Sequence, residues 1–318
     1  MGILEEKSVI ITGAGAGLGR ACADHAASEG ARLVLSDISA DAAGQLTPDL
    51  AGISDRVIVT AGDVSDWDYT AELATACRDH FGRIDGLVNN AGTDYHAGLW
   101  DCDEHRLRRL YQSNVMGTLY CGVHVMHVMV SQRSRSIVNL TSGAHVGISG
   151  LAAYRGTKGA VASLTCGWAL ELREFGVRAN AASPRACTQA PGANAPPDTG
   201  TGPLGAAGHA VPLVTLLTSD LAAGITGQVV RLSGDQLSVM AHPRGTSMTV
   251  TGEVWDTSHF AAAFAADFSG ALRPAGLGRH LVRHLTSKEA ARCASATRTT
   301  SRTPTVGHGN RSGRTHCS

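Results

Sequence analysis

The chain carries no net charge, no C-x-x-C pair and no long apolar run. Its 27 Lys plus Arg balance 27 Asp plus Glu, so no overall field draws it to a polyanion. No apolar stretch approaches the ~20 residues a membrane-spanning helix needs. The cysteines (Cys22, Cys77, Cys102, Cys121, Cys166, Cys187, Cys293 and Cys317) lack a redox or zinc spacing, and several fall in helix-like segments. They read as reduced thiols of a cytoplasmic protein. The chain reaches its first strand within ten residues, past Glu5, Glu6 and Lys7, and no signal peptide fits there. No internal repeat is visible.

Short, almost wholly apolar strands instead alternate with helices from residue 7 to about 235. The strands are Ser8–Thr12, Arg32–Ser36, Val57–Ala61, Gly86–Asn89, Ser136–Leu140, Arg178–Ala182 and Gln228–Leu232. The helices are Leu18–Glu29, Trp67–Phe81 ended by Gly82, a long one from Glu104 to Ser131, and Tyr154–Phe175. Such alternation predicts an α/β fold, a doubly wound parallel sheet of the Rossmann type covered on both faces. The expected organisation is one catalytic domain over 1–240, an appendage over 241–285 and a disordered tail over 286–318. Within the first unit, residues 188–210 are dominated by Gly, Pro and Ala and read as a lid. In the appendage, GEVWDTSHFAAAFAADF reads as a strand or turn followed by an amphipathic helix. From Arg279 onward eight basic residues face one acid, Glu289. Without aromatic interleaving, this reads as a solvated end and not a nucleic-acid arm.

Two constellations carry chemistry. The first is TGAGAGLG, Thr12 to Gly19, between a strand and a helix. Gly13 permits a tight turn, Gly17 lets backbone approach a pyrophosphate, and Gly19 lets the helix pack closely, with Leu18 among the candidate contacts. The helix N-terminus offers N–H groups and a positive dipole end to phosphate. Asp37 stands eighteen residues after Gly19 at a strand end, where an acid takes the adenosine ribose hydroxyls and repels a 2′-phosphate. NAD is therefore expected over NADP. Asp63 and Val64 either border the adenine or form plain turn chemistry. The same choice holds for Asn89, Asn90, Ala91 and Gly92. The second constellation is Ser142 followed twelve residues later by Tyr154 and Lys158 in YRGTK. Tyr and Lys four apart share a helix face.

In these motifs, taken with Asn114, NLTS at 139–142, Pro184 with Thr188 and TGQ at 226–228, the chain resembles the short-chain dehydrogenase/reductase family. The likeness covers residues 7 to about 236, and the longer chain is similar to bacterial members. The resemblance implies that Tyr154 is the general acid/base and that Lys158, together with the oxidised nicotinamide, lowers its pKa and bonds the nicotinamide ribose. It implies that Ser142 binds the substrate oxygen, that Asn114 positions a water, and that Thr188 binds the carboxamide. The implied activity is NAD-dependent interconversion of a secondary alcohol and a ketone. A non-catalytic NAD-binding scaffold and an epimerase or dehydratase of the same fold are the alternatives. Substrate classes in view are β-keto acyl thioesters, steroids or terpenoids, and ketones of secondary metabolism.

Arg185 follows Pro184 where the family usually has glycine, and Thr188 sits nearer Pro184 than in many members. His124 and His127 share a helix face, but no carboxylate or thiolate completes a ligand set, so no metal is expected. His96 and His145 follow strand ends and are candidates to line the cleft. The helices near 104–131 and 154–175 are apolar on more than one face. With related proteins as guide, they point to a homodimer or homotetramer.

Overall fold

The computed structural model describes residues 2–49, 55–133, 135–146, 151–184, 210–233, 236–243 and 257–268. Arg185, Thr188, the 188–210 segment before Ala210 and the 286–318 tail lie outside these residues, as does most of the 241–285 appendage.

Eight strands form one sheet in the order β3-β2-β1-β4-β5-β6-β7-β8. They are β1 (Ser8–Thr12), β2 (Arg32–Asp37), β3 (Val57–Ala61), β4 (Gly86–Asn89), β5 (Arg135–Leu140), β6 (Val177–Pro184), β7 (Val229–Ser233) and β8 (Gln236–Met240). Neighbours from β3 to β7 are parallel, and β8 closes the edge antiparallel to β7. The order reverses between β1 and β4, which opens a crevice at the strands' carboxyl ends.

Helices cover both faces: α1 (Gly17–Ser28), α2 (Ala40–Asp49), α3 (Trp67–Phe81), α4 (Glu104–Tyr111), α5 (Thr118–Gln132), α6 (Ala152–Glu171) and α7 (Val211–Thr218). A further short helix, α8 (Thr257–Ala263), runs on as a π-helical turn to Phe268. It matches the expected appendage helix.

The alternation of β1 divides the core. Val9 and Ile11 pack with Leu18 and Cys22 of α1 and Val214 and Leu217 of α7. Ile10 packs on the other face with Leu73 and Cys77 of α3, Val125 and Met129 of α5, and Trp168 of α6. Successive strand residues point to opposite faces, so wholly apolar strands serve both layers. Each fully buried leucine or isoleucine contributes about 1.5–3 kcal/mol.

The expected long helix from 104 is present, but it is interrupted. Residues Gln112–Gly117 form a π-helical turn between α4 and α5. Three elements absent from the sequence expectation also appear: α2, α7 and β8.

Candidate active site

The glycine-rich turn is held from β4. The buried Thr12 hydroxyl accepts the backbone N–H of Asn90 at 3.2 Å and of Ala91 at 3.1 Å. The Asn90 side-chain amide donates to the carbonyls of Thr12 and Gly13 at 3.0 and 2.9 Å. Gly13 has φ +65°, and a Cβ there would come within 2.8 Å of Ala91 Cα, so only glycine fits. A Cβ on Gly19 would run into the Gly13 carbonyl. Helix α1 starts behind Ala16 with no side-chain cap, leaving first-turn N–H groups for an anion.

Asp37 closes over this turn from the end of β2. Its Oδ2 accepts the Gly15 N–H at 2.8 Å and its Oδ1 the Ser39 N–H at 3.0 Å. Leu18 is turned into the core, so only its backbone can face a ligand. Asp63 accepts the Ser65 N–H at 2.8 Å, and Val64 packs under Gly117. A turn with no room for side chains, a free helix N-terminus and an acid beside it fit a dinucleotide.

Gly92 links this cradle to the second constellation. A Cβ there would lie 2.8 Å from Asn114 Oδ1 and 3.7 Å from Lys158 Nζ. Asn114 is buried in the π turn. Its Oδ1 accepts the Thr93 N–H at 2.7 Å, and its Nδ2 donates to the Thr93 carbonyl at 2.8 Å and to Thr157 Oγ1 at 3.1 Å. Thr93 and Thr157 went unnoticed in the sequence, since neither carries a motif.

The hydroxyl of Thr141 donates to the Lys158 carbonyl at 2.7 Å and is thereby occupied in tying β5 to α6. Ser142 is the neighbour whose side chain hydrogen-bonds the Tyr154 phenol. The Ser142 carbonyl is itself 2.6 Å from His145 Nδ1. Lys158 Nζ donates to the Leu140 carbonyl at 2.9 Å and lies 5.8 Å from the Tyr154 ring centroid. The structure thus brings Asn114, Ser142, Tyr154 and Lys158 to one place beside the cradle.

Burial sets the electrostatics of this cluster in the protein alone. Burial pushes the Tyr154 phenol up to about 12, the Asp94 carboxylate adds to this, and the Ser142 hydrogen bond opposes it. Burial likewise pulls the Lys158 ammonium down to about 8. In the protein alone, loss of hydration outweighs any help the lysine gives the phenolate. Asp94 was not foreseen. It pairs with His96 at 3.3 Å, on a loop that Asn114 holds through Thr93.

Among the described residues no cluster suits a metal ion, and His124 packs edge-on against Trp67 with 4.2 Å between centroids. No helix among them is long and apolar enough to cross a membrane.

A glycine-rich turn at an uncapped helix N-terminus, the Asp37 carboxylate beside it and the Ser142, Tyr154 and Lys158 cluster share one crevice. The family model described as short chain dehydrogenase matches residues 7–196. The chain belongs to the short-chain dehydrogenase family. Members of this family are oxidoreductases that bind a nicotinamide cofactor and act on an alcohol or ketone group of small molecules. The 3-oxoacyl-[acyl-carrier-protein] reductase of Thermotoga maritima is 32% identical over 241 residues, 73% of this chain and 98% of that protein. The cis-4-hydroxycyclohexanecarboxylate dehydrogenase of Sinomonas cyclohexanicum is 30% identical over 245 residues, 74% of this chain and 98% of its own length. A short chain dehydrogenase crystal structure from Mycobacterium avium superposes with a TM-score of 0.76 at 28% identity, covering 86% of this chain and 98% of that one.

Proposed function

We propose that this short-chain dehydrogenase interconverts a secondary alcohol and a ketone with NAD(H), using Tyr154 as the general acid/base. One observation carries the reading. The Tyr154 phenol is hydrogen-bonded to Ser142 and stacked near Lys158, while Gly92 and Asn114 connect this cluster to the dinucleotide cradle.

When bound, the nicotinamide supplies or accepts the hydride. The chain's own residues handle the oxygen and its proton. Ser142 donates to the substrate oxygen and orients it. Tyr154 gives that oxygen a proton in reduction and removes one in oxidation. With its pKa raised, the phenol is protonated near neutral pH, the form a ketone reduction requires. Lys158 fixes the end of β5 through the Leu140 carbonyl and presents its ammonium to the phenol and to the ribose. Asn114 keeps the 92–94 loop in place and is the candidate to hold a relay water.

The NAD preference rests on Asp37, whose carboxylate already occupies the space beside Gly15 and repels a 2′-phosphate. Thr188 as the carboxamide contact, and the 188–210 segment as lid, belong to the same proposal, as do a cytoplasmic setting and the division into domain, appendage and tail. Exposed Tyr111 on α4 and Leu170 on α6 support a homodimer or homotetramer through these helices, which light scattering would detect.

Purified protein with NADH or NADPH and a panel of ketones should show consumption of reduced nicotinamide, with NADH preferred. Tyr154→Phe should bind NAD and turn nothing over. Full activity in that variant would remove the mechanism.

A further inference from the structure

Ser142 sits between two clamps. On its amino side, Thr141 is buried, donates its backbone N–H to the Ala182 carbonyl at 2.9 Å and commits its hydroxyl to the Lys158 carbonyl. On its carboxyl side the chain enters a short 3₁₀ turn, Gly143–Val146. There the Ser142 carbonyl meets one residue twice. It accepts the backbone N–H of His145 at 3.1 Å, and the imidazole Nδ1 of His145 lies 2.6 Å from the same oxygen.

The second contact fixes a tautomer. A carbonyl oxygen only accepts, and its two lone pairs allow both bonds. Nδ1 must therefore carry the proton, which leaves Nε2 as the acceptor nitrogen of the neutral ring. The imidazolium carries a proton on Nδ1 as well, so the clamp does not depend on the charge of His145.

A 3₁₀ turn needs such help. Its i→i+3 bonds have poorer geometry than those of an α-helix, and a turn this short has no long ladder to share the load. A carbonyl held twice is restrained from rocking. The ring also has a backing: a Cβ on Gly159 of α6 would lie 3.9 Å from the His145 Cβ, an ordinary contact. His145 thus braces Ser142 against the helix that carries Tyr154 and Lys158. The Ser142 side chain hydrogen-bonds the Tyr154 phenol, and any shift of its backbone would move that hydroxyl.

We propose that His145 is a positioning residue: through Nδ1 it holds the Ser142 peptide and so sets where the Ser142 hydroxyl meets the substrate oxygen. It exchanges no proton with the substrate. This rests on the dehydrogenase reading and adds a residue to it. Misplacing a catalytic group by about 1 Å can cost about 10²-fold in rate, and loss of one of two bonds to the carbonyl should cost less.

The test is a double-mutant cycle on ketone reduction by the full chain with NADH. His145→Leu should lower kcat roughly tenfold and leave KM for the ketone within about twofold. In a Ser142→Ala background the same substitution should change kcat by less than about twofold, because the group it positions is gone. His145→Asn should recover most of the rate, since its N–H sits on an atom bonded to Cγ, as Nδ1 does. His145→Gln carries its N–H one bond farther out, in the place of Nε2, and should not. These two variants keep the test open where leucine unfolds the turn. Equal losses in both backgrounds, rescue by Gln and not by Asn, an unchanged rate in His145→Leu, or a limb missing from the pH profile of His145→Asn overturns the proposal. A natural chain that reduces no ketone removes the dehydrogenase reading instead. Nitrogen NMR of the full chain tests the clamp apart from turnover: a proton on Nδ1 supports it, and a proton on Nε2 alone overturns it.

Discussion

The two sides of the crevice are finished to different degrees. On the cradle side the polar groups satisfy one another: Thr12 serves Asn90 and Ala91, Asn90 serves Thr12 and Gly13, and Asp37 serves Gly15 and Ser39. On the α6 side burial has displaced two protonation equilibria, and Ser183 and Arg155 hold donors with no acceptor. The cradle is a self-supporting frame that a cofactor enters. The α6 side keeps buried groups that its own neighbours leave unpartnered. Substitutions in the first should cost stability, and those in the second should cost rate or even add stability.

The largest effect sharpens this contrast at Tyr154. Tyr154→Phe removes the proton donor and should lower kcat by about 10³-fold, within the range for general acid–base catalysis. The melting temperature should hold or rise, since a buried hydroxyl is lost. Steady-state rates beside a thermal melt check both halves.

Lys158 comes next. Its ammonium releases its proton near pH 8 in the folded protein but only near its ordinary 10.5 in the unfolded chain. Between those values the unfolded state binds more protons, so this residue makes stability rise with pH. The full penalty applies below pH 8 and fades as the pH climbs to 10.5. The buried thiols of Cys22, Cys77 and Cys121, pushed up to about 12, work the other way above their ordinary 9.0 and affect any variant equally. The stability difference between natural protein and Lys158→Met should therefore move by roughly 2 kcal/mol in favour of the natural protein from pH 7.5 to 9.5, at ~1.4 kcal/mol per pH unit. Urea titrations at the two pH values measure it. A flat difference would mean that Lys158 is not shifted.

On the cradle side, Asn90→Ala deletes two side-chain hydrogen bonds and should destabilise by about 1.5 kcal/mol, read as a lower urea midpoint even with no substrate present. The smallest effect is expected at Asp37. Asp37→Ser removes the charge facing a 2′-phosphate and should shift the NADH-to-NADPH ratio of kcat/KM roughly tenfold towards NADPH, or ~1.4 kcal/mol. An unchanged ratio would place cofactor choice elsewhere.

What was legible in the sequence is what local chemistry dictates. The β1 run, the glycine turn and the Tyr154–Lys158 spacing each need specific residue types, and each is where the sequence places it. The choice of Ser142 rests on the family resemblance. The structure adds a physical reason, because Thr141 is committed to the Lys158 carbonyl. Helix α7 (VPLVTLLT) escaped because eight nearly all-apolar residues show no period that separates helix from strand. Strand β8 escaped because QLSVM owes its place to pairing with β7. Proximity of Tyr154 to a lysine is visible in sequence, but the burial that raises the phenol and lowers the ammonium in the protein alone is not.

The π turn at Gln112–Gly117 accommodates one residue more than an ordinary helix would. Deleting a single residue there would restore regular winding with α4 and α5 still in register, and would remove the bulge that presents Asn114. Asn114 would leave Thr93, the Asp94–His96 loop would lose its anchor, and Gly92 would lose its neighbour. Yet every motif would still be spelled out in the deleted chain. A survey that scores this family by its signatures alone would count such a protein as intact, although a one-codon slip had taken its site apart.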